Sequence, residues 1–287
     1  MSARPRTVVL VAGTGTDVGK TWVAAQLLAA WRHAGYQVAA RKPAQSYELP
    51  HSYELPHSYE LPHSYELPHS YELAHSHQLP ESERPARSTD RPGSGASVPS
   101  KNRPRSAATD LEVLTDAEVL GAASGEPATT VCRSERWYPV PLAPPMAAEV
   151  LGRPGFTVAD LVAELDWPRP AVDFGVLEVA GGVRSPQASD GDAVDVACLV
   201  QPDQVVLVAD AGLGTINGVR LAVEALATVT APAGCSAPVN VVLNRFDPAA
   251  SLHERNRRWL AERCGLRVTA VGPGALSALA ARLAPAG

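Results

Sequence analysis

An α/β fold is predicted, a doubly wound and mostly parallel sheet with helices on both faces. Two features predict it: short Val-rich runs that alternate with helix-like stretches, and chemistry-bearing motifs that follow the ends of those runs. The runs are Thr7–Ala12, Gln37–Arg41, Phe174–Val179, Gln204–Ala209, Val239–Leu243 and Arg267–Val271. Their nearly unbroken apolar character is that of strands buried on both faces.

The intervening stretches read as helices for specific reasons. Lys20–Ala34 stops at Gly35, a residue suited to the left-handed conformation that ends helices. Thr157–Leu165 opens with Thr157-x-x-Asp160, where side chain and backbone can cap each other reciprocally. Further helices are expected over Asn217–Ala227, Ser251–Cys264 and Ala275–Leu283. The 287 residues are read as a single domain spanning 1–287.

One tract stands outside this pattern. From Ser46 the hexad Ser-Tyr-Glu-Leu-Pro-His runs four times, and a fifth copy replaces Pro with Ala. A proline every sixth residue forbids a helix and removes donors from any strand ladder. With the polar Ser/Pro/Arg-rich stretch that follows, residues 47–106 are expected to be a low-complexity, disordered insertion that buries no core. The tract holds six of the eight histidines, which is not evidence of a metal enzyme.

Composition excludes several classes. A formal net charge of −5 argues against nucleic-acid binding. No apolar run approaches a membrane span, and the short basic N-terminus leads directly into a strand, so the chain is expected to be cytoplasmic. The four cysteines are widely spaced without a C-x-x-C pair, which disfavours zinc and a disulfide framework. Of 25 basic residues only three are lysine, at positions 20, 42 and 101. Lysines that survive such a bias are candidates for sites that need a compact point charge.

After the first strand comes Gly13-Thr14-Gly15-Thr16-Asp17-Val18-Gly19-Lys20-Thr21, leading into a helix. This is a phosphate-cradling P-loop with one extra residue, so the fold is expected to be P-loop NTPase-like. Backbone amides and the helix N-terminus would hold phosphate oxygens, Lys20 would reach the terminal phosphates, and the Thr21 hydroxyl would ligate Mg²⁺. Lys42 follows the second strand in Arg41-Lys42-Pro43-Ala44-Gln45-Ser46, where Pro43 enforces an extended exit toward the ligand crevice. The third core strand delivers Glu178-Val179-Ala180-Gly181-Gly182, a carboxylate placed for Mg²⁺ followed by glycines that allow close backbone approach.

Taken in order, these motifs resemble the dethiobiotin synthetases. Those enzymes share the Gly-Thr-x-Thr-x-x-Gly-Lys-Thr loop, Lys-Pro-x-x-Ser/Thr after the second strand, a Glu-Gly-Ala-Gly-Gly strand end and a later Gly-x-Ile/Leu-Asn, here Gly214-Thr215-Ile216-Asn217. The resemblance implies ATP contacts from Thr16, Asp17, Val18, Gly19, Lys20, Thr21 and Trp22, with Gly181 nearby. It implies Mg²⁺ ligands at Thr21, Asp116 and Glu178; Asp110 stands in a similar local context and remains an alternative to Asp116. Asn244, with Arg245 beside it, resembles the adenine-reading position, and Pro273-Gly274-Ala275 would flank the base. Ser46 and the Tyr138–Pro145 segment resemble the diamine pocket. Gly214–Asn217 resembles a helix start that holds the substrate carboxylate across a homodimer interface. Lys42, Lys20 and Thr16 would be the catalytic residues.

The implied reaction joins 7,8-diaminononanoate, CO₂ and ATP to form dethiobiotin, ADP and phosphate. Two positions depart from the pattern: Val179 and Tyr47 stand where the family usually has glycine. An amidoligase of the cobyrinate type would carry a glutaminase domain for which no chain remains. A non-catalytic nucleotide-binding module would be expected to lack Lys42 or Glu178.

Overall fold

The computed structural model describes residues 3–47, 114–233 and 237–284. Most of the hexad tract, and with it Asp110, Cys235 and Lys101, lies outside these residues. In chain order the elements are β1 (Thr7–Gly13), α1 (Lys20–His33), β2 (Val38–Arg41), β3 (Gln45–Ser46), α2 (Asp116–Ser124), α3 (Ala128–Val131), β4 (Trp137–Tyr138), α4 (Pro144–Val150) and α5 (Val158–Ala163). There follow β5 (Phe174–Glu178), β6 (Pro186–Ala188), β7 (Gly191–Asp192), α6 (Ala193–Val200), β8 (Gln204–Asp210), α7 (Thr215–Ala233), β9 (Val239–Asn244), α8 (Ser251–Arg258), β10 (Arg267–Ala270) and α9 (Ala275–Leu283).

The six expected strands form one sheet in the order β10-β9-β8-β1-β5-β2, and every pairing is parallel. Because side chains alternate across a strand, β1 feeds two cores at once. Val8, Leu10 and Ala12 face one, packing with residues of α4 to α7; Val9 and Val11 face the other, with α1, α2 and α9. This two-sided burial is why the strand sequences read as continuous apolar runs. In the second core Trp31 of α1 stacks on Phe174 of β5 at 4.2 Å, and its indole donates to the Ala280 carbonyl of α9 at 2.9 Å. The bond ties α1 to α9, and the stack ties α1 to the sheet.

The capping box anticipated at Thr157 is present, with Asp160 returning the bond to the Thr157 backbone. Three helix boundaries differ from expectation, the first being that of α5, which ends at Ala163 and not at Leu165. The helix after β8 begins at Thr215, not Asn217, and runs to Ala233. The stretch 251–264 is not one α-helix: it widens into a π-type turn at Trp259–Arg263, which brings Leu260 fully into the core while Trp259 remains half exposed. Among the described residues no helix is long and apolar enough to cross a membrane.

β1 lies at the switch point of the winding. The chain leaves it through α1 to reach β2 on one side and later returns to β8 on the other, which opens a crevice at the strands' carboxyl ends.

Candidate active site

The loop after β1 turns on glycine. Gly19 sits at φ +91° as the N-cap of α1, and neither its absent side chain nor any acidic residue occupies the helix's first turn, leaving those amides to an anion. A Cβ on Gly13 would come within 2.9 Å of the Lys20 side chain, so glycine there makes room for the lysine to cross the loop. Lys20 is buried, and its ammonium donates to the Gly15 carbonyl at 2.9 Å. Burial holds its pKa below the ordinary lysine value; the Lys42 charge adds to this and Glu178 opposes it. Thr16 and Asp17 are exposed on the loop, Asp17 with φ +56°, and Trp22 lies half exposed on the first turn of α1.

Three further segments converge on Thr21. Glu178, the last residue of β5, is fully buried. Asp116 opens α2, whose start is held by a Thr115–Glu118 capping box. Lys42 leaves β2 on a loop pinned by its own amide to the Val131 carbonyl at 2.8 Å. The Thr21 hydroxyl lies 2.8 Å from both Asp116 Oδ1 and Glu178 Oε1, and Lys42 Nζ is 2.7 Å from Glu178 Oε1 and 2.7 Å from Asp116 Oδ2. Burial acts to lower the Lys42 pKa, but the two carboxylates outweigh it and hold the ammonium well above its usual value. Burial likewise acts to raise the Asp116 pKa, and Lys42 and Thr21 overcome it and hold the carboxyl low. Glu178 Oε2 is buried and has no hydrogen-bond partner. An orphaned carboxylate oxygen beside an aspartate and a threonine hydroxyl is an all-oxygen donor set suited to a hard divalent cation, so these residues fit Mg²⁺.

Gln45 was not anticipated as a site residue. It is almost fully buried, and its Oε1 accepts the Ala117 amide of α2 at 3.0 Å, which ties the Lys42 loop to the helix that carries Asp116. That bond fixes the amide's orientation and leaves Nε2 buried without a partner. Gln187 was also missed. Its carboxamide clasps the Ala180 backbone by both N–H and carbonyl, at 3.0 and 2.7 Å. The turn at Gly181 (φ +63°) therefore rests against the phosphate loop, with the Val183 amide on the Gly13 carbonyl at 3.0 Å. Val179, the departure from the family pattern, points into the apolar core on the face opposite Glu178, so its side chain does not narrow the crevice. The only possible signal for either glutamine was its position beside a motif.

On the far side of the loop, Asn244 at the end of β9 donates from Nδ2 to the Val18 carbonyl at 3.0 Å. Arg245, at φ +51°, donates to the Asp17 carbonyl at 2.7 Å and pairs with Asp210. Two β9-end residues thus grip consecutive loop carbonyls. Pro273, Gly274 and Ala275 follow the neighbouring strand β10 and start α9, with Gly274 at φ +71°. Ser46 lies in β3, paired in parallel with Tyr138 of β4, and Pro145 is in the first turn of α4. Gly214 (φ +90°) precedes α7, Asn217 is exposed in its first turn, and Gly218 packs beside Thr14. The Thr215 hydroxyl at this helix start is buried without a partner.

Cys132 is buried behind Lys42, and burial pushes its thiol up to about 12, a packing residue with no nucleophilic character.

The model of an AAA domain family matches residues 7–92. The ATP-dependent dethiobiotin synthetase BioD of Anaeromyxobacter dehalogenans is 30% identical over 244 residues, covering 84% of this chain and 77% of the relative. That of Rhodococcus jostii is 30% identical over 76% of this chain and 67% of the relative. That of Corynebacterium efficiens is 29% identical over 77% and 70%. With a P-loop, a strand-end glutamate and a lysine from the second strand gathered at one threonine, the chain belongs to the ATP-dependent dethiobiotin synthetase family.

Proposed function

We infer that this protein uses ATP to close the ureido ring of dethiobiotin from 7,8-diaminononanoate and CO₂, releasing ADP and phosphate. One observation supports this above the rest. A buried lysine from outside the P-loop stands 2.7 Å from the strand-end glutamate that also meets Thr21, so a second ammonium faces the place where a terminal phosphate would lie.

In this reading one amine of the substrate takes up CO₂ and loses a proton, giving a carbamate anion. Lys42 supplies the countercharge that holds this anion. A carbamate oxygen attacks the γ-phosphorus and the bond to ADP breaks, while Lys20 and the α1 amides take up charge on the phosphoryl oxygens. The second amine then attacks the carbamoyl carbon, phosphate leaves, and the ring closes. Holding both groups on one substrate makes that closure effectively unimolecular. Thr21, Asp116 and Glu178 would hold Mg²⁺, which when bound neutralises charge on the phosphates.

Asn244, Arg245 and Pro273–Ala275 are assigned to the base side of the nucleotide, and Ser46 and Pro145 to the diamine. The start of α7 is assigned to the substrate carboxylate of a second copy. The exposed Leu213 and Leu221 flanking that helix start support a homodimer on this face. We place the enzyme in the cytoplasm, where its ATP is found.

The test is a purified-protein assay with ATP, Mg²⁺ and bicarbonate, in which the diamine is the only variable. Dethiobiotin detected by mass spectrometry, matched by phosphate released, is expected. Phosphate release with other acids or amines but not with this diamine would replace the reading with another amidoligase. ATP binding without turnover would replace it with a binding module.

A further inference from the structure

Three of the four oxygens on Asp116 and Glu178 are already engaged within the protein. Lys42 Nζ contacts one oxygen of each at 2.7 Å, and Thr21 contacts the other Asp116 oxygen and the same Glu178 oxygen at 2.8 Å. Glu178 is fully buried and Lys42 nearly so, which leaves water little access to this ammonium–carboxylate contact. Two carboxylates brought this close, Glu178 fully buried and Asp116 about two-fifths exposed, repel each other unless a cation sits between them. Within the protein that cation is the Lys42 ammonium. A divalent ion on the same carboxylates would place a second, stronger positive charge beside it.

We propose that Lys42 is a positioning residue for the metal-binding carboxylates, in addition to its role toward the carbamate. It holds Asp116 and Glu178 together in the nucleotide-free enzyme and gives way when the divalent cation arrives. Ammonium and metal are therefore antagonists at one pair of carboxylates. Release of Lys42 makes its charge available to the carbamate only once the metal is in place, so the order of events is built into the site. This rests on the reading of Thr21, Asp116 and Glu178 as the metal site.

The experiment measures Mn²⁺ binding to the full-length, nucleotide-free protein from the electron paramagnetic resonance signal of free Mn²⁺. Wild type, Lys42→Met, Glu178→Gln and the double variant are compared. Removing a positive charge in direct contact with the carboxylates is expected to tighten Mn²⁺ binding about tenfold or more in Lys42→Met. Glu178→Gln is expected to weaken it in both backgrounds. Equal or weaker binding in Lys42→Met, with Glu178→Gln still weakening it, overturns the antagonism and leaves the metal site standing. No effect of Glu178→Gln in either background overturns the metal site itself.

A second measurement uses wild type alone and so does not depend on a variant folding. Reductive methylation followed by peptide mass spectrometry reads Lys42 with and without Mg²⁺, with Lys101 as reference. Lys42 is expected to be protected without Mg²⁺ and labelled faster with it, because the released amine becomes accessible. Unchanged labelling overturns the proposal.

Discussion

Replacing Gly19 by alanine should damage the phosphate loop in a way that replacing Gly15 should not. Gly19 adopts φ +91°, where an L-residue pays roughly 1–2 kcal/mol. A Cβ built there falls 2.1 Å from Asn244 Nδ2, so the amide must move, and its bond to the Val18 carbonyl is lost. Leaving those part-buried groups unpaired costs about 1–3 kcal/mol more. Together these give about 2–5 kcal/mol, which for a domain of this size lowers the melting temperature by roughly 5–15 °C. At Gly15 an added Cβ meets nothing within 4 Å and the backbone is not in the left-handed region, so Gly15→Ala should shift melting by less than about 2 °C. Thermal melts followed by circular dichroism, without nucleotide, compare the three proteins. Equal melting temperatures for Gly19→Ala and Gly15→Ala would refute the claim that Asn244 and the loop are sterically interlocked.

Other expectations follow from the same geometry. Gln45→Met removes the acceptor for the Ala117 amide but also the orphaned Nε2, so stability should change by less than about 1 kcal/mol. The Mg²⁺ concentration needed for ATP binding should nevertheless rise severalfold, read by calorimetry at stepped Mg²⁺; an unchanged requirement would show that Gln45 does not position Asp116. Cys132 is buried, and that burial pushes its thiol up to about 12. It should resist iodoacetamide in the native protein and react after guanidinium unfolding, whereas native labelling at that position would contradict the burial. Deleting residues 52–104 should leave turnover largely intact, and loss of most of it would assign the tract a part in the site.

The sheet was legible because strands buried on both faces leave an unmistakable pattern. Leu10 and Val11 serve opposite cores, yet the sequence needs only apolar residues at both. The closeness of the P-loop, Lys42 and Glu178 was legible because each sits in a short motif at the end of a strand. Gln45 and Gln187 were not, since each acts through a polar contact whose partner is chosen by the tertiary fold: Ala117 lies 72 positions from Gln45. Arg41 is a similar case. It read as the end of a strand, whereas it is buried against Trp167 at 5.1 Å and paired with Glu126 at 2.8 Å, closing the outer edge of β2. The π-type turn at Trp259–Arg263 left no trace either, because its widening serves to seat Leu260 and no local residue demands it.

The hexad tract is spliced into the chain between Lys42 and Asp116, two residues that touch. Its borders are clamped on both sides, by the Tyr47 amide on the Tyr138 carbonyl at 3.0 Å and by the Gln45–Ala117 bond beside the capped start of α2. Chain added between points that are already fastened together pays a closure entropy that grows only with the logarithm of its length, about 0.6 kcal/mol for each doubling. Gaining or losing copies of a hexad whose prolines keep it out of helix and strand ladder is therefore expected to cost little at this junction. A tandem repeat could expand or contract over generations here while the machinery on either side stays in register.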